Sequence, residues 1–386
     1  MPLEKMSELR LRAYKTKLRP TRKQQNYFYG CAGAARFVFN WALADRKNAY
    51  EEREETINKF EQKRRFNSWK KTEAPWLAEY PYVIVPAEFD NVDRAYQNFF
   101  RRVKNGEKPG FPKFKNRFSS SKKFTLRGKI RTANGRVKLP RIGWVQLAER
   151  DYVPELTHEM GDNGRILSAS IRERAGAWFI SFQVEEPEPE APQLQDKVLG
   201  VDVGIKSLAV VSDGQTFSNP KTLAKYEKKL ARLQRELHRR KKGSSNREKT
   251  KKKISKLYAK IANTRAHTLH DISAHITKNE KPKAVVVEDL NVTGMLQNRR
   301  LAKAVSDASM SELKRQIDYK STWMGTEVIY ADRWEPSSKK CSNCGAVKKD
   351  LSLAERIYNC PECGLVIDRD LNAAKNLAAL YQEVNP

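Results

Sequence analysis

Two pairs of cysteines lie just before an acidic string: Cys341-Ser342-Asn343-Cys344, Cys360-Pro361-Glu362-Cys363, and then Asp368-Arg369-Asp370-Leu371-Asn372. Cys-x-x-Cys turns at this spacing are typical of a zinc site, because each turn offers two sulfurs to one tetrahedral ion. Four thiolates complete the coordination, so we expect one structural zinc ion, held by Cys341, Cys344, Cys360 and Cys363. The acidic string begins a helical pattern over residues 371–383.

Two disulfides are the alternative for these cysteines. The chain has five cysteines, and residues 1–19 lack the apolar core of a secretory signal. We therefore expect a cytoplasmic protein in which thiols stay reduced. No stretch approaches the run of about 20 apolar residues that a membrane-spanning helix needs, so no membrane partner is expected.

The balance of charged residues indicates a polyanionic partner. The 386 residues include 75 Lys and Arg against 46 Asp and Glu, which gives a formal net charge of +29. Nucleic acid accounts for this surplus most simply, since Lys and Arg displace counterions condensed on phosphates. A membrane surface is the alternative, but neither terminus shows a clear basic amphipathic anchor.

The first half of the chain predicts a small β-barrel interrupted by helices. Residues 9–18 alternate like a strand, helical patterns run from Thr21 to about residue 104, and 106–112 form a Gly/Pro-rich connector. Further short strands are predicted at 136–139, 143–147, 166–172 and 178–184. The acidic, proline-rich residues 185–192 predict a linker at the main domain boundary.

The second half predicts a different architecture, with longer apolar strands and basic helices. Residues 198–203 and 207–212 predict a strand hairpin, 284–287 a buried strand, 306–324 a helix and 327–331 a further strand. Between them, residues 221–260 predict two helices joined near 243–246, in which seventeen of forty positions are Lys or Arg and three are Glu. With so few acids, pairing along the helices cannot explain the charge, and contact with a nucleic-acid backbone is the better interpretation.

Three acidic residues are candidate metal ligands. Asp202 lies inside an apolar strand and Glu288 ends one, and burying either charge costs several kcal/mol unless a partner compensates it. Asp370 opens the last helix, where it could instead serve only as a cap, just as Asp202 could be a turn residue and Glu288 could flank a loop. Together they offer hard oxygen ligands that suit two Mg²⁺ or Mn²⁺ ions, and two such ions support phosphodiester hydrolysis.

The order strand, strand, helix is that of RNase H-like nucleases, and here the sequence resembles the TnpB family. Three strings resemble its three RuvC motifs, with a zinc ribbon before the third: Gly200-Val201-Asp202-Val203-Gly204, Val286-Val287-Glu288-Asp289-Leu290, and Asp368-Arg369-Asp370-Leu371-Asn372-Ala373-Ala374-Lys375-Asn376. Stretches of the first half also resemble that family: residues 34–40, 95–100, 110–114 and 138–143.

The resemblance implies a multidomain α+β and α/β protein. It implies a β-barrel wedge domain (1–19 and 118–185), a helical recognition domain (20–117), a linker (186–195), a RuvC-like nuclease domain (196–338 and 365–386) and a zinc ribbon that binds target nucleic acid (339–364). TnpB proteins are transposon-encoded, RNA-guided DNA endonucleases related to type V CRISPR effectors. The implied partners are a guide RNA from the transposon end, with one protein per guide, and double-stranded target DNA beside a short motif that the protein reads. The catalytic acids would be Asp202, Glu288 and Asp370, the last rather than Asp368.

Several exposed-looking residues are candidates for nucleic-acid contact. They are Tyr50, Lys104, Lys113, Lys123, Arg239, Arg240, Lys241, Lys242, Lys251 and Lys252. Two other functions remain open at this point: a nucleic-acid-binding repressor with a vestigial metal site, and a transposase that uses the same fold without a guide. Intact acids disfavour the first, and the extensive basic surface disfavours the second.

Overall fold

The computed structural model describes residues 9–118, 121–190, 192–352 and 355–384, which fall into two compact units divided between Pro189 and Glu190. Residues 1–8 of the implied wedge domain lie outside the described residues. The units are described separately below. The domain bounds inferred from the sequence stay predictions.

The first unit is built on a seven-stranded antiparallel sheet. Its strands are β1 (Leu9–Arg19), β2 (Lys123–Arg127), β3 (Arg131–Ala133), β4 (Arg136–Leu139), β5 (Gly143–Leu147), β6 (Arg165–Arg174) and β7 (Ala177–Pro187). Their order across the sheet is β2-β6-β7-β1-β5-β4-β3. The predicted strands at 9–18, 136–139, 143–147, 166–172 and 178–184 are confirmed, whereas closure of the sheet into a barrel stays a prediction.

Strand β7 continues into the predicted linker, and there the sequence interpretation is wrong. Glu186 pairs with Arg10 in the sheet and is only 7% exposed. Its carboxylate accepts hydrogen bonds from the Tyr14 hydroxyl at 2.7 Å and from Arg10 Nη2 at 2.7 Å. These partners compensate the buried charge of Glu186. The first residues of the predicted linker therefore belong to strand β7, which ends at Pro187.

Three helices lie between β1 and β2 in the chain, as the predicted helical insertion requires. They are α1 (Arg22–Arg53), α2 (Lys59–Glu73) and α3 (Ile84–Lys104), with a short 3-10 helix at Pro75–Glu79. Thr21 and Gln24 cap α1 reciprocally. The connector that follows α3 is held by Asn40, whose side chain bonds both the amide of Lys115 at 2.7 Å and its carbonyl at 3.0 Å.

The second unit is built on a five-stranded mixed sheet. Its strands are β8 (Gln195–Asp202), β9 (Ser207–Val211), β10 (Thr216–Ser218), β11 (Pro282–Glu288) and β12 (Glu327–Ala331), in the order β10-β9-β8-β11-β12. The predicted β8–β9 hairpin is confirmed, and β11 runs parallel to both of its neighbours. A small hairpin, β13 (Ile357–Asn359) and β14 (Val366–Asp368), carries the second cysteine pair.

Helices lie on both faces of this sheet. The helices of the unit are α4 (Thr222–Arg239), which packs against α5, and α5 (Ser245–Ala274), α6 (Val292–Gln297), α7 (Ala302–Ala308), α8 (Met310–Met324) and α9 (Arg369–Val384). Leu199 and Val285 pack with residues of α5 and α8, whereas Val198 and Val286 pack with Leu377 and other residues of α9. Alternation along each strand therefore sends successive side chains to opposite helical layers. Within the described ranges, no helix is long and apolar enough to cross a membrane.

The prediction of a single helix over residues 306–324 is wrong at the N-terminal end, where two helices meet. The backbone at Ser309 is left-handed, with φ 54°, and separates α7 from α8. A left-handed residue cannot continue a right-handed helix.

Candidate functional site

The sheet of the second unit brings two of the predicted acids to the same edge. Strands β8 and β11 are parallel neighbours, with Val201 opposite Val287. Asp202 and Glu288 are the next residues on each strand, so their backbones lie at adjacent strand ends about 4.8 Å apart. Both are two residues beyond Gly200 and Val286, which places their side chains on the α9 side of the sheet.

Helix α9 supplies the third acid because it crosses β8 at a glycine. A Cβ built on Gly200 would lie 1.9 Å from the Ala374 carbonyl oxygen and 2.5 Å from the Ala378 amide nitrogen. Asp370 is one helical turn before Ala374. The close approach therefore puts the first turn of α9 beside the ends of β8 and β11.

Asp202 is partly buried beside other carboxylates. Burial, followed by the negative charges of Glu288 and Asp370, raises the pKa of Asp202 to about 8. Arg369 Nη2 lies 3.4 Å and Arg356 Nη1 3.9 Å from Asp370 Oδ1. These cations do not offset the excess negative charge around Asp202, which a divalent cation would relieve.

Asp368 and Asp370 have different surroundings. Asp368 Oδ1 accepts hydrogen bonds from the amides of Asp370 at 2.9 Å and Leu371 at 3.1 Å. This is the geometry of a helix N-cap. Asp368 thus caps α9, and the alternative in which Asp370 is merely the cap is wrong.

The four predicted zinc ligands form a compact tetrad. Sγ of Cys341 lies 3.6 Å from Sγ of Cys363, and the same distance joins Cys344 to Cys360. A tetrahedral ion with Zn–S bonds of about 2.3 Å requires sulfurs about 3.8 Å apart. All four are free thiols, and 3.6 Å is far beyond a sulfur–sulfur bond of about 2.05 Å, so the disulfide alternative is wrong. The tetrad fits a single structural ion.

The acids are spread more widely than the sulfurs. Within residues 9–118, 121–190, 192–352 and 355–384, the cysteines are the only group of three or more potential ligands with donor atoms all within 4.8 Å of one another. Ligands of one magnesium ion, at about 2.1 Å from it, lie within about 4.2 Å of each other. The three acids thus do not form a group as compact as the four sulfurs.

Three buried polar residues, two of which belong to the third motif, had no role assigned from the sequence. Ser337, Asn372 and Asn376 are almost fully buried and join the segment before Cys341 to α9. The sequence signal was the spacing of Asn372 and Asn376, four residues apart on one helix face. Asn is otherwise an unfavourable residue inside a helix.

The candidate nucleic-acid residues lie at the surfaces of the two units. Tyr50 is 65% exposed, and Lys104, Lys113, Lys123, Arg239, Lys241, Lys242 and Lys252 are also exposed. Arg240 and Lys251 are instead engaged with Glu236 at 3.0 Å and Glu248 at 2.6 Å. On the α4–α5 hairpin, Arg232, Arg235, His238 and Arg239 line a concave, positively charged groove of about 390 Å³.

Comparison with known proteins identifies the family. Residues 181–299 match the IS605 OrfB family described as "Probable transposase", and 311–377 match the Cas12f1-like TNB domain. A Streptomyces pristinaespiralis protein named as an RNA-guided DNA endonuclease is 34% identical over 95% of this chain and 89% of its own length. The chain belongs to the IS605 OrfB (TnpB) family.

A second TnpB-family relative, the Escherichia coli K12 protein named RNA-guided DNA endonuclease InsQ, is 32% identical over 96% of this chain and 92% of its own length. The fold is similar to that of Cas12f1 in a complex with guide RNA and target DNA, with a TM-score of 0.55 and 16% identity over 93% of this chain and 83% of the other. Residues 6–55 match a family described as a helix-turn-helix domain, yet here the described part of that region is β1 followed by the single long helix α1.

Proposed function

We propose that this chain is an RNA-guided DNA endonuclease of a transposon, which hydrolyses both strands of a target beside a short flanking motif. The observation that carries the proposal is that Asp202 and Glu288 end adjacent parallel strands and that α9, which carries Asp370 in its first turn, packs closely on one of them. Relatives that match nearly the whole chain are named for this activity. We infer that the protein works in a prokaryotic cytoplasm, at the nucleoid where its DNA substrate lies.

The three carboxylates would hold two Mg²⁺ or Mn²⁺ ions. Such ions, when bound, supply an activated water and stabilise the leaving oxygen. The strand ends fix Asp202 and Glu288 on a rigid scaffold, and the first turn of α9 adds Asp370 from above the sheet. In this role the acids act as ligands and not as proton carriers.

The cysteine tetrad would hold a structural zinc ion and thereby order the module that it closes. Asn343 donates a hydrogen bond to Cys363 Sγ at 3.5 Å, and zinc binds the thiolate form of cysteine. The module belongs to the segment that matches the Cas12f1-like TNB domain, and we infer that it contacts target nucleic acid.

The basic surfaces would bind a guide RNA, one protein per guide. Sequence choice would come from base pairing, while the protein reads shape and a short flank. The groove on the α4–α5 hairpin offers four cationic or potentially cationic side chains to a phosphate backbone.

One experiment tests the proposal. The protein is purified with its RNA, the RNA is sequenced, and plasmids that carry a matching target beside a randomised flank are incubated with Mg²⁺ or with EDTA. We expect RNA of defined length and linear plasmid only with Mg²⁺. Asp202→Asn, Glu288→Gln and Asp370→Asn should each lower cleavage about a hundredfold or more, because each removes a ligand worth several kcal/mol, while guided DNA binding persists.

Asp289→Asn is the matched control, since Asp289 follows Glu288 directly but pairs with Lys314 at 2.8 Å. Wild-type protein that binds guided DNA without cutting it in Mg²⁺ would establish the repressor alternative. Absence of any bound RNA, together with strand joining, would establish the transposase alternative.

A further inference from the structure

We propose that Ser337 is a positioning residue for Glu288, and that Asn372 and Asn376 lock Ser337 and the cysteine module to the helix that carries Asp370. This inference rests on the proposed function and deepens it. It makes the cysteine module part of the geometry of the nuclease site as well as a nucleic-acid contact.

The first contact is between Ser337 and Glu288. The Ser337 hydroxyl donates to Glu288 Oε1 at 2.8 Å, and Ser337 is 2% exposed. A carboxylate at the end of a strand can rotate about its side-chain torsions, and a bond to one oxygen restricts that rotation. Oε1 is thereby fixed, which aims Oε2 and the remaining lone pairs of Oε1 in a defined direction.

The second set of contacts holds Ser337 itself. Asn376 Nδ2 donates to the Ser337 carbonyl at 2.7 Å and to the Lys340 carbonyl at 2.6 Å. One turn earlier on α9, Asn372 Nδ2 donates to the Lys340 carbonyl at 2.7 Å, and Asn372 Oδ1 accepts from the Ser342 amide at 2.9 Å. All four bonds end on residues 337–342, a segment that includes Cys341 of the first cysteine pair.

Burial makes this arrangement specific. Asn372 is 0% and Asn376 5% exposed, and a buried amide that loses its partner costs about 1–3 kcal/mol. The segment and α9 therefore fit together in one register, in which all four bonds form. We call this set of contacts, Ser337 with Asn372 and Asn376, the clamp.

The clamp couples two of the three acids. Glu288 is held through Ser337, and Asp370 stands two residues before Asn372 on the same helix. A displacement of α9 would move Asp370 directly and Glu288 through Ser337. Partners outside the ligand set commonly change metal affinity about 10–100-fold when they are removed.

The test measures metal binding as well as cleavage, on the full chain with its RNA. Ser337→Ala removes only a hydroxyl, and Ser338→Ala, at the half-exposed neighbouring residue, is the matched control. Mn²⁺ binding is followed by electron paramagnetic resonance, and cleavage is measured over a range of Mn²⁺ concentrations. We expect Ser337→Ala to weaken Mn²⁺ binding about 10–100-fold and to raise the Mn²⁺ concentration needed for half-maximal cleavage by the same factor. Zinc content and guided DNA binding should be unchanged.

Asn376→Ala provides the second variant and should weaken Mn²⁺ binding by a similar factor. Wild-type Mn²⁺ affinity in either Ser337→Ala or Asn376→Ala would overturn the clamp. Restoration of cleavage to Ser337→Ala at saturating Mn²⁺ would support a positioning role over a general loss of fold. The proposed function fails separately, if wild-type protein does not cut or if Glu288→Gln still cuts at the normal rate.

Discussion

Gly200 and Ala374 are packed backbone against backbone, so closely that a Cβ on Gly200 would stand 1.9 Å from the Ala374 carbonyl oxygen. Backbone atoms cannot swing aside as a flexible side chain can. Gly200→Ala should therefore push α9 from the sheet, lower the free energy of unfolding by about 1–3 kcal/mol and reduce cleavage. Denaturant unfolding and a plasmid cleavage assay check both effects.

Gly33→Ala is the matched control for that substitution. Gly33 lies inside α1, and a Cβ there would meet nothing within 4 Å. Alanine in a helix interior is favoured over glycine by about 0.5–1 kcal/mol, so this variant should be slightly stabilised and fully active. Equal loss of stability in both variants would contradict the argument from close approach.

Removal of one thiolate should abolish the metal site of the cysteine module. Cys341→Ser leaves three sulfurs, and because structural zinc binding is coupled to folding, we expect zinc loss and increased protease sensitivity of residues 337–368. Cys31→Ala is the control, because Cys31 is buried in the core of the first unit and is not one of the four clustered cysteines. Elemental analysis should find one zinc per chain in wild type and Cys31→Ala, and a zinc-loaded Cys341→Ser protein would refute the assignment.

Lys320 should make stability depend on pH in the alkaline range. Its ammonium is buried between α8 and α5, where it donates to the His270 carbonyl at 2.8 Å and to Ser273 Oγ at 2.6 Å. Burial, with a smaller contribution from Lys278, lowers the pKa of Lys320 from 10.5 to about 8. The folded protein then binds fewer protons than the unfolded chain between these two values, so this group increases stability as the pH rises through that window.

Lys320→Met removes that pH-dependent contribution, which amounts to about 3 kcal/mol. Any stability advantage of Lys320→Met over wild type should be largest near pH 7 and should shrink as the pH approaches 10. Thermal unfolding at several pH values measures it, with Lys256→Met, at an exposed position of α5, as the control. A difference in Tm that is constant across that range would count against the depressed pKa.

Charge on the turn of the α4–α5 hairpin should govern how RNA affinity responds to salt. Replacing Arg239, Lys241 and Lys242 together by Gln removes up to three phosphate contacts. The slope of log affinity against log salt should then fall by about 2, at about 0.7 for each contact with single-stranded RNA. The charge-preserving triple, Arg239→Lys with Lys241→Arg and Lys242→Arg, should keep the slope, and an unchanged slope in the neutral triple would exclude this turn from the interface.

The sequence predicted those features that depend on local periodicity. Apolar runs predicted the strands that end in Asp202 and Glu288, and cysteine spacing predicted the tetrad, whereas the catalytic role of the acids stays a prediction. The break at Ser309 was not predictable, since left-handed backbone at a serine carries no Gly or Pro signal. The strand position of Glu186 depends on Arg10, 176 residues away in the chain, and the clamp depends on a helix register that only the folded protein sets.

The α4–α5 hairpin has an apolar seam of its own, formed by Leu230, Leu233, Leu257 and Ile261. The hairpin leaves the sheet after β10 and returns at β11. Helix α4 packs along the first part of α5, and the last turns of α5 pack against the sheet. Extending both legs by matched helical turns would lengthen this arm by about 1.5 Å per residue of each leg without altering the register of β8 and β11. The length of the α4–α5 hairpin, and so its reach toward bound nucleic acid, can thus be changed by evolution or by design without changing the residues at the sheet edge.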